Sequence, residues 1–329
     1  MKEQFEKNIV KTFAGRQVLI TGGAGYIAAS LVQLLKNVEC HIIRLDRPDV
    51  VPPPIDGKAQ IDNIHSDIRD RGIWEKVLNK TDFIFHLAAQ TSTYAANEDP
   101  FADIGINVLP LLDMLETCRK KKVKPIVLFS STVTVIGIPK KLPVNESHTG
   151  QPLTVYDLHK LAAENYLSYY ISQDYVRGAI LRLSNVYGPG PKSSSADRGI
   201  LNLMIRKALA GETLTVYNTG DCLRDYIYIE DIARAFLMAA INVKRVNGRY
   251  FVIGSGQGHT IAEAINLVGD RAAIKTGRRV DVIHVEPEFP QSPVETRNFV
   301  ADSRQFSNAT GWKAKVFLVE GIDRTIESY

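Results

Sequence analysis

Thr21-Gly22-Gly23-Ala24-Gly25-Tyr26-Ile27-Ala28 is the stretch that decides the fold. It follows an apolar run, Gln17-Val18-Leu19-Ile20, that reads as a buried strand. It opens a segment with Ile27, Leu31, Leu34 and Leu35 at helical spacing. A strand that ends in glycines and turns directly into a helix has a physical use. Glycine makes the tight turn and lets backbone approach a pyrophosphate. The first turn of the helix offers unpaired N–H groups at the positive end of its dipole. The spacing is glycine, two residues, glycine, two residues and then a small residue, Ala28. That last position only has to let helix pack against strand, and Ala serves. Strand, turn, helix and a downstream acid together point to a dinucleotide cradle rather than an ordinary strand–turn–helix. Gly22, Gly25, Tyr26 and Ile27 are its candidate residues.

The acid is Asp46, at the end of the second strand, near the separation of about 20 residues expected for a ribose-binding carboxylate. A carboxylate there binds a ribose diol and repels a 2′-phosphate, which favours NAD over NADP. Arg47 beside it pulls the other way. Asp67 and Ile68 are placed to read the adenine edge through a carboxylate and a backbone amide. Leu87-Ala88-Ala89 ends a third clear strand, where small side chains let backbone approach the dinucleotide. His86 lacks spaced partner ligands and reads as a core histidine. No metal site is expected.

Outward from this core, short apolar strands alternate with helices: Cys40–Asp46, Asp82–Ala89, Pro125–Ser131 and Gly178–Gly188 against Trp74–Leu78, Pro100–Lys121 and Val155–Gln173. Nearly all-apolar strands between helices belong to a parallel sheet covered on both faces. The fold class is therefore α/β, a doubly wound Rossmann sheet with a smaller C-terminal α/β substrate domain. The first domain is expected over 14–188 plus about 226–254, and the second over 189–225 and 255–329. The first dozen residues read as a polar leader, Pro48–Gly57 as a loop, and Pro189–Gly199 as an exposed, mobile loop.

Hydrophobic residues make up 45% and charged residues 23% of the 329, which excludes disordered, collagen-like and low-complexity chains. The net charge of +4 is scattered, so no basic stripe for nucleic acid forms. Three distant cysteines, Cys40, Cys118 and Cys222, suit a reducing, cytoplasmic setting. The N-terminus lacks the apolar core of a signal peptide, and no run suffices to span a membrane.

Tyr156 and Lys160 lie four apart on a predicted helix and so share a face. Free tyrosine titrates near pH 10, and a neighbouring ammonium favours its phenolate. A phenolate takes a hydroxyl proton while hydride leaves the same carbon for nicotinamide. The strand before this helix ends Ser130-Ser131-Thr132, with hydroxyls for the same oxygen.

With these motifs the sequence resembles the extended short-chain dehydrogenase/reductase family, in its branch of nucleotide-sugar epimerases, dehydratases and reductases. The resemblance runs from Gly15 through TGGAGYIA, LDRPD, SDIRD, HLAAQTS, INVL, FSSTVTVIG, YDLHK, LRLSNVYGPG, RDYIYIED and ETRNFVADSRQF. It implies that Thr132 is the catalytic hydroxyl, Tyr156 the acid/base and Lys160 the anchor of the nicotinamide ribose. It implies that Asn107 supports the site, and that Asn185, Arg224 and Arg297 hold a nucleotide diphosphate. Ser92, with Gln90, Tyr94 and Thr134, is a candidate sugar contact.

Dehydratases of this family carry Asp-Glu after the catalytic hydroxyl, and related decarboxylases keep the Glu. Here Val133-Thr134 stands instead, which argues against both. The expected function is an NAD-dependent nucleotide-diphosphate-sugar epimerase acting at C4 through a 4-keto intermediate. A 4-keto-6-deoxysugar reductase is the alternative, and a non-catalytic dinucleotide sensor a remote one. The family likeness also implies a homodimer through helices 100–121 and 154–173. Pro110 is expected to kink the first of these helices, and His159, in place of a usual Ser, could flank the site but reads more readily as a packed or solvent-facing histidine.

Overall fold

The computed structural model describes residues 2–191, 199–287 and 293–329. The chain runs α1 (Lys2–Phe13), β1 (Gln17–Thr21), α2 (Tyr26–Leu35), β2 (His41–Asp46), β3 (Gln60–His65), α3 (Arg71–Val77) and β4 (Phe83–His86). It continues through α4 (Thr93–Glu98), α5 (Pro100–Asn107), α6 (Leu109–Lys121), β5 (Ile126–Thr132), α7 (Val155–Ser172) and β6 (Arg177–Leu183). Then come β7 (Asn185–Tyr187), α8 (Ile200–Leu209), β8 (Leu214–Tyr217), β9 (Leu223–Tyr228), α9 (Ile229–Ile241) and β10 (Arg249–Ile253).

Seven strands form one sheet in the order β10-β6-β5-β4-β1-β2-β3. Every neighbouring pair in it is parallel. Residues that alternate along a strand serve opposite faces. Val18 and Ile20 join Leu31, Leu35 and Phe236 on one side, while Leu19 joins Trp74, Leu111 and Leu167 on the other. Burial on both sides is why the strands read as continuous apolar runs. The chain lays strands outward from β1 in one direction and returns at β4 to lay them in the other. The crevice above the carboxyl ends of β1 and β4 is where this architecture takes its ligand.

A three-stranded sheet orders Gly258–Thr260, β9 and β7, and a two-stranded one pairs β8 with Val282–Val285. These pack with α8 and Ile261–Thr276 around Leu201, Ile205, Val216, Tyr226 and Val268. β10 forms the edge of the main sheet, beside β6.

The structure departs from the sequence reading in several places. The polar leader is α1, whose Phe5, Ile9 and Phe13 repeat at helical spacing and are buried under the main sheet. β3 was not expected at all: its alternating QIDNIH pattern is polar because it is an edge strand. The long helix 100–121 is two helices, broken at Val108 (φ −122°), two residues before Pro110. The strand expected over 178–188 splits at Ser184, with β6 in the main sheet and β7 in the three-stranded one. Most of the loop expected over 189–199, residues 192–198, lies outside the described residues.

Candidate active site

Gly22 takes a left-handed φ of 66°, and a Cβ there would come within 3.0 Å of the Ala88 backbone. Only glycine lets the turn after β1 lie this close to the end of β4. Thr21 holds the two ends together: its hydroxyl accepts the N–H groups of Leu87 at 3.1 Å and Ala88 at 3.2 Å. The same hydroxyl lies 3.2 Å from His86 Nδ1. His86 is buried and stacked on Phe129, and burial lowers its pKa to about 3, so it is a neutral core group.

Gly25 is the N-cap of α2 and supplies no side-chain acceptor to its first turn. Asp46 faces this loop from the end of β2 and accepts the Ala24 N–H at 2.9 Å and the Arg47 N–H at 2.8 Å. Uncapped helix N–H groups beside an anchored carboxylate are the donor and acceptor sets that a pyrophosphate and a ribose require, so the residues present fit NAD.

The side chains of Tyr26 and Asp67 are engaged by the protein itself. The Tyr26 hydroxyl donates to Gly188 O at 2.5 Å and accepts from Asn202 at 3.0 Å, tying the loop to the end of β7 and to α8. Arg69 clamps the Asp67 carboxylate at 2.9 and 2.6 Å and holds its pKa low. Ile68 is buried, Ile27 and Ala88 are partly so, and Ala89 follows at the carboxyl end of β4.

The first two turns of α7 bring Tyr156, Asp157, His159 and Lys160 inward. Thr154 caps it by accepting the Asp157 N–H at 3.2 Å. Tyr156 is 6% exposed and Lys160 3%. The Lys160 ammonium sits 4.2 Å from the Phe129 ring centre, and burial lowers its pKa to about 8 against the opposing pull of Glu164 and Asp103. Glu164, one turn further on, is buried in a pair with Arg182 at 2.7 Å and accepts the Ser131 hydroxyl.

Thr132 caps the one-turn 3₁₀ helix Val133–Ile136, accepting the Thr134 N–H at 3.2 Å. The Thr132 and Thr134 hydroxyls lie 2.9 Å apart, and Thr134 donates to Asp157. His159 is neither solvent-facing nor a loose neighbour of the site. Its Nδ1 lies 2.6 Å from buried Asp103. The other Asp103 oxygen accepts Gln90 and Asn107 amides, each at 2.8 Å. Asn107 also donates to Gln90 O at 3.0 Å, so this cluster supports the segment after β4.

On the opposite side, Arg224 in β9 and Arg297 are both buried and meet. Arg224 donates to the carbonyls of Glu295 and Arg297. Arg297 reaches Gly137 O at 3.3 Å, immediately after the turn that carries Thr134. Asn185 begins β7 alongside Tyr226. Ser92 caps α4 at 3.2 Å from Ala95 N, and Tyr94 beyond it bonds Glu295 at 2.6 Å.

Sequence reasoning missed Asp225. Its buried carboxylate accepts Ser255 N at 2.7 Å, Ser255 Oγ at 2.8 Å, and Gly256 N and Ala301 N at 3.0 Å each. It thereby binds the segment that bears Arg297. Asp103, Asp157 and Glu164 were missed as well; for the last two the signal was their place beside Tyr156 and one turn beyond Lys160.

Residues 18–254 match the model of the NAD-dependent epimerase/dehydratase family. The chain belongs to that family. It is 33% identical over 313 residues to a putative UDP-glucose 4-epimerase of Methanocaldococcus jannaschii, covering 94% of this chain and 97% of that one. A crystal structure of UDP-glucose 4-epimerase from Thermotoga maritima with UDP-glucose superposes with a TM-score of 0.83 at 27% identity, over 95% of this chain and 98% of that one. The Thermus thermophilus UDP-glucose 4-epimerase in complex with NAD gives a TM-score of 0.80 at 28% identity, over 95% and 98%. The cofactor of the chain is NAD, and its fold is that of these epimerases.

Proposed function

We propose that this nucleotide-sugar epimerase inverts C4 of a UDP-hexose, UDP-glucose being the first to test. The observation that carries the reading is a hydroxyl, a phenol and an ammonium, Thr132, Tyr156 and Lys160, at one end of β5 and α7, with no carboxylic side chain at 133 or 134 to serve elimination or decarboxylation. Bound NAD supplies a reversible hydride acceptor at the sugar carbon. Tyr156 takes the proton of the C4 hydroxyl and later returns it. Lys160 keeps positive charge beside the phenolate and holds the nicotinamide ribose. Gly22, Gly25, Asp46, Ile68 and the Leu87–Ala89 backbone form the cofactor side, with Tyr26, Ile27 and Asp67 bracing it. Arg224, Arg297 and Asn185 hold the diphosphate, with Ser92 and Thr134 near the sugar; guanidinium forks suit phosphate oxygens.

Incubation of the purified chain with NAD and UDP-glucose should yield UDP-galactose. Tyr156→Phe should lower kcat by about 10²–10⁴-fold without changing thermal unfolding. If UDP-, GDP-, CDP- and dTDP-hexoses all keep their configuration, the reading fails. Stoichiometric loss of 340 nm absorbance on adding a keto sugar with NADH would favour the reductase instead.

The same reading takes 14–188 with about 226–254 as the cofactor domain, and 189–225 with 255–329 as the substrate domain. It includes a homodimer through α5–α7. These helices leave Phe101, Leu109, Leu158, Tyr166 and Tyr169 exposed, Phe101 at 87%. The three free cysteines support a reducing, cytoplasmic setting, and no described helix is long and apolar enough to cross a membrane.

A further inference from the structure

The Thr132 hydroxyl is one link in a chain of three groups, and that chain has a direction. Thr134 owns one hydroxyl proton and gives it to Asp157 Oδ1. The 2.9 Å contact between the Thr132 and Thr134 hydroxyls still needs a donor, and only Thr132 has a proton left to supply. One lone pair of Thr132 is taken by the Thr134 N–H at 3.2 Å. What Thr132 can offer a third group is its remaining lone pair.

The end of the chain is what holds this direction. Asp157 is 0% exposed, and its Oδ2 has no hydrogen-bond partner among the described residues. A carboxylate only accepts, so the Thr134 proton stays committed to it.

We propose that Asp157 is a positioning residue: through Thr134 it fixes Thr132 as an acceptor-only contact for the reacting sugar oxygen. The proposal rests on the epimerase reading above. Its consequence is a preference between the two forms of the sugar. The C4 alcohol has a proton and can donate to Thr132 or to Tyr156. The C4 ketone has none, so its oxygen meets a lone pair on Thr132 and finds no donor there. Oxidation still balances: the hydroxyl proton goes to Tyr156, the hydride to NAD, and Thr132, Thr134 and Asp157 neither gain nor lose a proton. The chain changes only the relative stability of alcohol and ketone on the protein. It keeps the keto sugar scarce and disfavours a keto sugar entering from solution, as an epimerase requires and a reductase does not. One mismatched hydrogen bond corresponds to about a fivefold shift in the ratio.

The test is the fraction of bound sugar in the keto form at saturating UDP-glucose. It is read by acid quench, borodeuteride reduction and mass spectrometry, and in parallel by absorbance at 340 nm. Thr134→Val frees Thr132 to donate and should raise the keto fraction about fivefold. Thr134→Ser keeps the hydroxyl and should leave it at the wild-type value. Asp157→Ala should raise it as Thr134→Val does, with no further rise in the double variant. If burial at 157 prevents that variant from folding, the two Thr134 variants decide alone. A merely structural role would slow turnover without moving the ratio. A keto fraction in folded Thr134→Val equal to or below wild type, with epimerisation intact in the parent, overturns this proposal alone. A parent that leaves UDP-, GDP-, CDP- and dTDP-hexoses all unchanged and forms no keto sugar overturns both readings.

Discussion

Burial sets the charge behaviour of Lys160. Its pKa of about 8 lies below the ordinary 10.5 because the ammonium is withdrawn from water, with Glu164 and Asp103 restoring part of the loss. Between pH 8 and 10.5 the unfolded chain holds a proton that the folded chain has released, so this group's contribution to stability rises with pH across that window. Its penalty is complete below pH 8. On the proposed mechanism activity runs the other way, because the phenolate and the ribose would need the ammonium. In the pH profile of kcat/KM, which reports the free enzyme, the rate should fall about tenfold per pH unit above about pH 8. A flat profile to pH 10 would show that Lys160 works without its charge. At this scale the i, i+4 pairing of Tyr156 with Lys160 was legible, since helical spacing alone puts both on one face. The dryness of the lysine, and the pairing of His159 with Asp103 from another helix, were not. Both depend on what α5 and β5 bring against α7.

Individual elements show where local pattern suffices. β1, β2, β4 and β5 are apolar on both faces and were readable directly. β3 was not, because an edge strand is held chiefly by its ladder to β2 and has little need of apolar side chains. α1 carried its signal in three residues, Phe5, Ile9 and Phe13, among charged neighbours. Phe13 is fully buried and its ring centre lies 4.7 Å from that of Phe83. Phe13→Ala should cost about 3–5 kcal/mol in urea unfolding; a cost under 1 would mean that the helix is dispensable. Asp225 joins the end of β6, β9 and two later segments. Asp225→Ala would strand several buried donors at about 1–3 kcal/mol for each that stays dry. Because one of those donors, Ala301 N, lies on the segment bearing Arg297, the KM for UDP-glucose should rise at least tenfold more than kcat falls. Steady-state rates against the urea midpoint separate the two effects. Equal changes in KM and kcat would show that the hub does not orient the substrate side.

Across the whole molecule, the +4 net charge reports little, because the cations proposed for the site, Lys160, Arg224 and Arg297, are buried. The exposed apolar side chains of α5–α7, Phe101, Leu109, Leu158, Tyr166 and Tyr169, are what the proposed pairing of two copies would bury. Phe101→Glu combined with Tyr169→Glu should halve the mass seen by light scattering. A parent chain already monomeric at micromolar concentration would remove the dimer.

The sequence by itself determined the alternation of elements, the glycine turn, the acid after β2 and the Tyr–Lys helix face, because each is a relation among residues close together in the chain. Turn chemistry and the helical and strand periods act locally. Tertiary structure alone decided that Asp157 ends the Thr132–Thr134 chain, that Asp103 holds His159, that Asp225 fastens the segment carrying Arg297, and that Arg224 leans on that segment. These are relations between segments tens of residues apart. A carboxylate shows its role only when folding removes water from it and leaves particular donors in reach.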